Sequence, residues 1–547
     1  MHTTLPCDRH DRSWVNELLG RMPHSFAKEA ARRYGRTFRS TGRFAANTAL
    51  RETAEVTSRS SVRITASDEE LRSMADARAK ACRRLVTGLP LRKAFRTARR
   101  YTAGHGIPLD FLERPNVTPQ SALARMQDPI WWRRRLRRIH VRGVERAAIQ
   151  LNMVCRTRAA YVSDEALASF RGRKRRNREL LEFTEATNEL GDTFTLQQLS
   201  DKGVSNPVNR RNELMTRLSG LETIANESGH VGEFYTFTCP SRFHATLYDG
   251  TPNPRYAGNE TPESAQRYMT TLWARMRSKL QRSGIPLYGI RVVEPHHDGT
   301  PHWHLLVFMP ADSRNEVRNV FRNYLLTMDG DEPGAAENRF DAKEIDPSKG
   351  SAAGYVAKYI SKNINGAADV VGDDLEAGTD AATGAERVEA WARTWGIRQF
   401  QFFGSPPVSP WREFRKISGN DLPESETLVS GFSAADSGNW SAYCHAMGGV
   451  CRRRGDWLVQ TVSRKATGNL ETTGEIRLNQ YGELAADQIV GVQSGESFVQ
   501  TRLHTWTIST PKRPTRPIAP EPLRMQELAT AWLLLPWSSV NNCTHTD

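Results

Sequence analysis

The chain has 547 residues, enough for two or three domains that each bury a core. Lys and Arg number 76 against 61 Asp and Glu, a net charge of +15 that points to a polyanionic partner, nucleic acid first among them. Seven scattered cysteines make no Cys-x-x-Cys pair and the sequence holds no Gly-x-x-x-x-Gly-Lys-[Ser/Thr] loop, which argues against a disulfide scaffold and a built-in ATPase. The opening residues mix Asp, Arg and His, and the apolar run Ala529 to Pro536 is too short to span a bilayer, so a cytoplasmic protein with no membrane role is expected.

Residues 1–190 read as a basic, mostly helical region. Ser67 stands as an N-cap before Asp68, Glu69 and Glu70, and Leu71, Met74, Ala75, Cys82 and Leu85 recur at helical spacing up to Val86. Trp131 and Trp132, read as packing residues, lead into Arg133, Arg134, Arg135, Arg137 and Arg138. A second basic cluster runs from Arg171 to Arg176. On helices such clusters can grip phosphates without reading sequence.

Residues 191–420 read as one further domain. Arg210 and Arg211, also expected to contact DNA, open a helix whose apolar stripe is Leu214, Leu218 and Leu221. Phe234 to Ser241 is aromatic and β-branched and reads as the first strand of a central sheet, ended by Pro240. A helix over Glu263 to Gln281 turns Trp273, Met276 and Leu280 inward, and another is expected over Ser313 to Thr327. The acidic, Ala/Gly-rich stretch Ala367 to Glu386 reads as a loop, Val388 to Trp395 as a helix and Ile397 to Phe403 as a last strand. This succession predicts an α+β fold with a central antiparallel sheet flanked by helices. Residues 421–547 read as a small β-containing region, with strand-like runs Trp457 to Val462 and Phe498 to Ile508 and a loosely ordered Pro-rich tail.

Two stretches carry the chemistry. Tyr288 to Glu294 and His302 to Phe308 both alternate with period two, joined by a turn that contains Asp298-Gly299 and two prolines. The alternation puts His302 and His304 on one face, and an antiparallel hairpin brings Glu294 opposite the start of the second strand. Two imidazoles and a carboxylate at one end of a sheet suit a divalent cation, Mg²⁺ or Mn²⁺, with open positions left for substrate. His296 or His297 could replace Glu294 as the third ligand. The second stretch, Gly350 to Gly366, reads as a helix ended by a Gly cap. At about 100° per residue, Ala353, Val356, Ala357, Ile360 and Ile364 form an apolar face, and Tyr355, Lys358, Tyr359 and Lys362 lie opposite. A tyrosine attacking a phosphodiester polarised by the cation would leave a phosphotyrosine link and a free strand end, with Lys358 and Lys362 steadying the phosphate. Two tyrosines one helical turn apart suit repeated cutting and joining.

Pro301 to Phe308 resembles the His-hydrophobe-His motif of HUH endonucleases, and Gly354 to Ile360 resembles their two-tyrosine motif. Phe234 to His244, with Thr236, Thr238, Pro240 and Ser241, is similar to their first motif. Histidines before tyrosines is the order of replication initiators; mobilisation relaxases reverse it. From about Asp128 to Lys416, through Asp128-Pro129-Ile130-Trp131-Trp132, Asn206-Pro207 and Trp395 to Phe400, the chain resembles the gene A replication proteins of temperate tailed phages, the GPA family. The resemblance implies a HUH-type fold and nicking of one strand at a phage origin to start rolling-circle replication. Tyr355 and Tyr359 would be the nucleophiles and His302 and His304 the metal ligands. It also implies action in the cytoplasm of a bacterial host, on single-stranded and origin DNA, with a host helicase to unwind what is nicked. A zinc hydrolase, a relaxase and a non-catalytic DNA-binding protein are the competing readings. Leu305-Leu306 after the histidines departs from the first, and motif order from the second.

Overall fold

The computed structural model describes residues 6–510 except 347, 349, 365–379, 419–421, 423 and 466–475. The expected cap at Gly366, most of the acidic stretch after Ala367, the apolar run near the C-terminus and the Pro-rich tail lie outside these residues. The chain forms two compact units: Met1–Arg158 with Ser163–Ala166 and Lys465–Asp487, and Ala159–Val162 with Leu167–Arg464 and Gln488–Asp547. These divisions coincide with neither expected boundary, at 190 or at 420.

The first unit is a stack of helices. Asp68–Val86 begins with a reciprocal capping box: Ser67 Oγ accepts from the Glu70 amide at 3.1 Å and Glu70 accepts from the Ser67 amide at 2.7 Å. Leu71, Ala75, Ala79, Cys82 and Val86 line its buried stripe. Leu85, expected in that stripe, is 48% exposed, because the i+4 step from Cys82 lands on Val86 instead. Pro129–Gln150 packs Trp131 and Trp132 inward as expected, and Trp132 Nε1 donates to the Met126 carbonyl at 2.8 Å.

The second unit is α+β with antiparallel sheets, the class expected. Two strands outside the expected set open it: β1 (Glu185–Asn188) pairs with both β2 (Thr193–Thr195) and the late β11 (Trp506–Ser509), which lies at the end of the expected run Phe498 to Ile508. The central sheet consists of β3 (His230–Thr238), β4 (Tyr288–Pro295), β5 (Pro301–Pro310), β6 (Phe340–Glu344) and β7 (Phe400–Phe403), in the order β6-β3-β5-β4-β7. Strand β6 has exposed Asp341, Lys343 and Glu344, and its alternation is confined to Phe340 to Lys343, too short a run to announce a strand. A last sheet joins β8 (Gln460–Arg464), β9 (Gln488–Ser494) and β10 (Ser497–Gln500).

One face of the central sheet, with Phe234, Ile290, Val292, Leu306 and Phe308, shares a core with Leu214, Leu218 and Leu221 of helix Pro207–Glu227 and with Val356 and Ile360 of helix Ala352–Asn363. Trp440 and Tyr443 belong to the same core. They sit on the short helix Trp440–Ala446, which follows Glu426–Asp436. Residues after 420 therefore begin with two helices absent from the expected elements, while the expected runs Trp457 to Val462 and Phe498 to Ile508 overlap strands further on. The apolar groups of these short helices pack on the sheet's core rather than forming a long amphipathic repeat. On the other face, Phe321 lies edge-on to Tyr235 at 5.0 Å and to Phe237 at 5.2 Å between ring centroids. Helix Ala381–Trp395 begins seven residues before the expected start, capped by Asp380, which accepts from the Thr383 amide at 3.0 Å, so Ala381 to Glu386 are helix rather than loop. Among the described residues no helix is long and apolar enough to cross a membrane.

Gly289 permits the β4–β5 pairing. Its φ is +154°, and a Cβ there would lie 2.0 Å from the Leu306 carbonyl oxygen. Gly289→Ala is expected to cost more than about 4 kcal/mol, the range of severe core and backbone lesions. Denaturant unfolding measures this, and a loss under about 1 kcal/mol would show that the strands do not depend on the close approach.

Candidate active site

The register of β5 between its two neighbours places the candidate residues. Glu294 of β4 and Thr238 of β3 both oppose His302, and Val292 and Thr236 both oppose His304. The threonine hydroxyls face the Nδ1 atoms: Thr238 Oγ1 is 3.2 Å from His302 and Thr236 Oγ1 is 3.4 Å from His304. Such partners orient an imidazole and leave Nε2 for a ligand. His304 Nε2 lies 3.8 Å from Glu294 Oε2, and the His302 and His304 rings are 4.6 Å apart. His296 closes the row, its ring 4.2 Å from that of His302. Burial, with the neighbouring His304, holds His302 well below its ordinary pKa, and burial, with His296 and Lys362, holds His304 at about 3. Both imidazoles are therefore neutral near pH 7 and keep a lone pair. Among the described residues no three His, Cys, Asp or Glu side chains are drawn tightly enough together to enclose an ion. Of the expected trio, Glu294 and His304 approach each other at 3.8 Å, with the His302 ring beside that of His304.

The turn of the hairpin is pinned from below by Asp298. Its carboxylate accepts from the amides of Thr300 and Ala245, both at 3.0 Å, and from His244 Nδ1 at 3.2 Å. Burial works against this charge, yet His244 and the donors around it keep the carboxyl below the usual range.

Helix Ala352–Asn363 lays the tyrosines over the same end of the sheet. The Tyr359 ring is 4.2 Å from the His304 ring and 5.2 Å from Phe234. Tyr355 is 40% exposed, its ring 4.7 Å from Phe234 and 6.4 Å from Tyr359. Burial raises the Tyr359 pKa above its ordinary value, and the charges of Tyr355 and Glu294 add to the rise, so the phenol keeps its proton at rest. Lys362 Nζ lies 3.8 Å from Glu294 Oε2 and 5.4 Å over the ring of Tyr161, a buried residue in the left-handed backbone region at φ 73°. Lys358, by contrast, is exposed, and forms no ion pair with the described residues. The start of the helix is held by Ser351 Oγ, which accepts from Gly354 at 2.9 Å. It is also held by the Glu222 carboxylate, which accepts from the amides of Ala352 at 2.6 Å and Ala353 at 3.1 Å.

The expected DNA contacts separate into different surroundings. In the first unit Arg137 makes a two-pronged contact with Asp68 that includes Nε at 2.7 Å, Arg133 reaches the same carboxylate at 3.8 Å, and Arg135 faces Asp110 at 3.5 Å. Arg134 is partly buried, and only Arg138 of this run is exposed. Asp68 and Asp110 thus meet three of the five arginines expected to contact DNA. In the second unit Arg210 lies 5.4 Å over the Phe400 ring, partly buried, and Arg211 is also partly buried. Arg171 and Lys174 of the second cluster pair with Glu386 at 2.6 Å and Glu389 at 3.0 Å.

Residues 112–367 match the bacteriophage replication gene A protein (GPA) family. The chain is 43% identical over 401 residues to the replication gene A protein of Escherichia phage 186, covering 72% of this chain and 56% of that protein. It is 37% identical over 435 residues to probable replication protein P12 of Pseudoalteromonas phage PM2, covering 78% of this chain and 62% of that one. It is also 37% identical over 353 residues to a probable replication endonuclease from a prophage-like region of Salmonella paratyphi A, covering 62% of this chain and 44% of that protein. The chain thus spans about two fifths to three fifths of the length of these relatives. No solved structure matches it.

Two outcomes follow from this geometry. Glu222→Ala removes the carboxylate from the first turn of the tyrosine helix; a loss of about 1–2 kcal/mol and faster hydrogen exchange at Ala352 and Ala353 are expected, and unchanged exchange there would contradict it. The folded protein holds His302 and His304 below 6.5, so the unfolded chain takes up more protons as pH falls. Stability should therefore drop on acidification through about pH 6.5, by up to about 1.4 kcal/mol per pH unit for each imidazole. Denaturant unfolding between about pH 7 and pH 5 should show a shallower slope in the His302→Gln/His304→Gln variant.

Proposed function

We propose that this protein initiates phage DNA replication as a metal-dependent endonuclease of the HUH type, nicking and rejoining single-stranded DNA at the origin through a 5′-phosphotyrosine intermediate. The observation that carries the reading is the Tyr359 ring 4.2 Å from His304, at the sheet end where Glu294 opposes His302. The likeness to proteins named replication gene A protein and probable replication endonuclease supports the substrate and the setting.

Two neutral imidazoles with Nδ1 occupied, facing a carboxylate 3.8 Å from one Nε2, form a mixed nitrogen–oxygen donor set that fits Mn²⁺ or Mg²⁺. His302, His304 and Glu294 would hold the ion, which when bound polarises a phosphodiester oxygen and offsets charge in the transition state. The Tyr359 or Tyr355 oxygen attacks phosphorus; the new P–O bond forms as the bond to the 3′ oxygen breaks, and that oxygen leaves with a proton as a free hydroxyl. Lys362, beside Glu294, supplies positive charge to the phosphate and favours loss of the phenol proton. Attack by a 3′ hydroxyl on the phosphotyrosine reverses the exchange and reseals the strand without ATP. The second tyrosine allows a further exchange while the first still holds a DNA end, as rolling-circle replication requires. Single-stranded origin DNA is the substrate, and a host helicase would supply the unwinding this chain has no P-loop to drive.

The test is to incubate the protein with single-stranded fragments tiling the phage genome and Mg²⁺ or Mn²⁺, and to look for a covalent adduct on a denaturing gel. An adduct on one fragment, abolished by EDTA and by Tyr355→Phe/Tyr359→Phe with DNA binding retained, is expected. His304→Ala should slow its formation by about 10²-fold or more, the several kcal/mol a bound cation supplies. Binding without any adduct would assign the protein to the non-catalytic DNA-binding class instead.

A further inference from the structure

Glu294 is gripped by the same helix that carries the tyrosines. Asn363, one turn beyond Tyr359, donates from Nδ2 to Glu294 Oε1 and to the Tyr359 carbonyl, the latter at 2.6 Å. Its Oδ1 accepts from Gln399 Nε2 at 3.0 Å. Gln399 is itself tied into the sheet, its carbonyl accepting from the Val293 amide at 2.7 Å. Asn363 and Gln399 are buried, at 4% and 7% exposure.

The direction of this chain follows from donor and acceptor chemistry. An ionised carboxylate only accepts, so the amide nitrogen of Asn363 must face Glu294 and its oxygen must face away. That oxygen needs a donor, and Gln399 presents one. With Oε1 engaged, Oε2 is the oxygen left toward His304 Nε2 and Lys362 Nζ, each at 3.8 Å. A buried asparagine could be no more than a helix-end contact. Here, however, one amide joins β4, the tyrosine helix and the residue leading into β7, and sets which carboxylate oxygen looks into the site.

We propose that Asn363, oriented by Gln399, is a positioning residue that presents Glu294 Oε2 to the metal and fixes this carboxylate relative to the two tyrosines. The inference rests on the metal site of the proposed function. Disruption of such outer contacts weakens metal affinity by about 10- to 100-fold.

The test is Mn²⁺ titration calorimetry on the full chain, without DNA. The variants are Glu294→Ala, His304→Ala, Asn363→Asp, Asn363→Ala, Gln399→Glu and the double variant Asn363→Ala/Gln399→Glu, with thermal unfolding in the absence of metal as the folding control. Asn363→Asp and Gln399→Glu are near-isosteric, and each is expected to weaken Mn²⁺ by about 10- to 100-fold. Adduct formation should recover in large part at saturating Mn²⁺. Gln399→Glu should add nothing in the Asn363→Ala background, because it acts through that amide. Should Asn363→Asp fail to fold, Gln399→Glu carries the same test. Wild-type affinity in Asn363→Ala and Gln399→Glu, with Glu294→Ala weakened, would overturn the inference and leave the metal site standing. Mn²⁺ binding that is absent or indifferent to His304→Ala would instead overturn the metal reading, and this inference with it.

Discussion

Strand β5 is paired on both sides, and its register against β3 and β4 decides which groups stand at the site. His302 lies in one row with Glu294 and Thr238, and His304 in the next with Val292 and Thr236. A slip of one residue would send both imidazoles to the opposite face, where Trp303 is packed and donates to Gln266 at 3.0 Å. The apolar groups that share these strands, Leu306 and Phe308 among them, make that slip costly. Core packing and site geometry are therefore one constraint, not two.

The second element is laid on the first by the same core. Val356 and Ile360 hold the tyrosine helix on the sheet, while Tyr359 and Lys362 reach over its end. Burial keeps the imidazoles and the Tyr359 phenol neutral, and Lys362 Nζ lies beside them 3.8 Å from Glu294 Oε2. Neutral imidazoles suit metal ligation, and a protonated phenol suits a nucleophile that must stay quiet until phosphate and cation are present. The exposure of Tyr355 beside the half-buried Tyr359 gives the two phenols different access to solvent and substrate.

What could be read from the sequence was what depends on neighbours in the chain. The hairpin announced itself through period-two alternation and an Asp-Gly turn, and the tyrosine helix through residues one turn apart. Glu294 opposite His302 followed from hairpin geometry alone. The residues that escaped notice act across long separations: Glu222 at the helix start, Tyr161 beneath Lys362, Gln399 behind Asn363. Their residue types are unremarkable, and only packing tells which amide or carbonyl they meet. Strand β6 and the helices after residue 425 were hidden for a related reason, since edge pairing and core contacts set them rather than local pattern. In the arginine run, the approach of Asp68 and Asp110 to Arg133, Arg135 and Arg137 is likewise set by packing across the chain and not by local spacing.

On the proposed function, His302, His304 and the tyrosine pair lie around one bound cation. Pulsed electron paramagnetic resonance of Mn²⁺ bound to protein grown with ring-deuterated tyrosine tests it in a single spectrum. Nitrogen modulation from His302 and His304 together with deuterium modulation from the phenol rings is the predicted result. A manganese signal coupled only to water protons, or to nitrogen with no deuterium nearby, would contradict it.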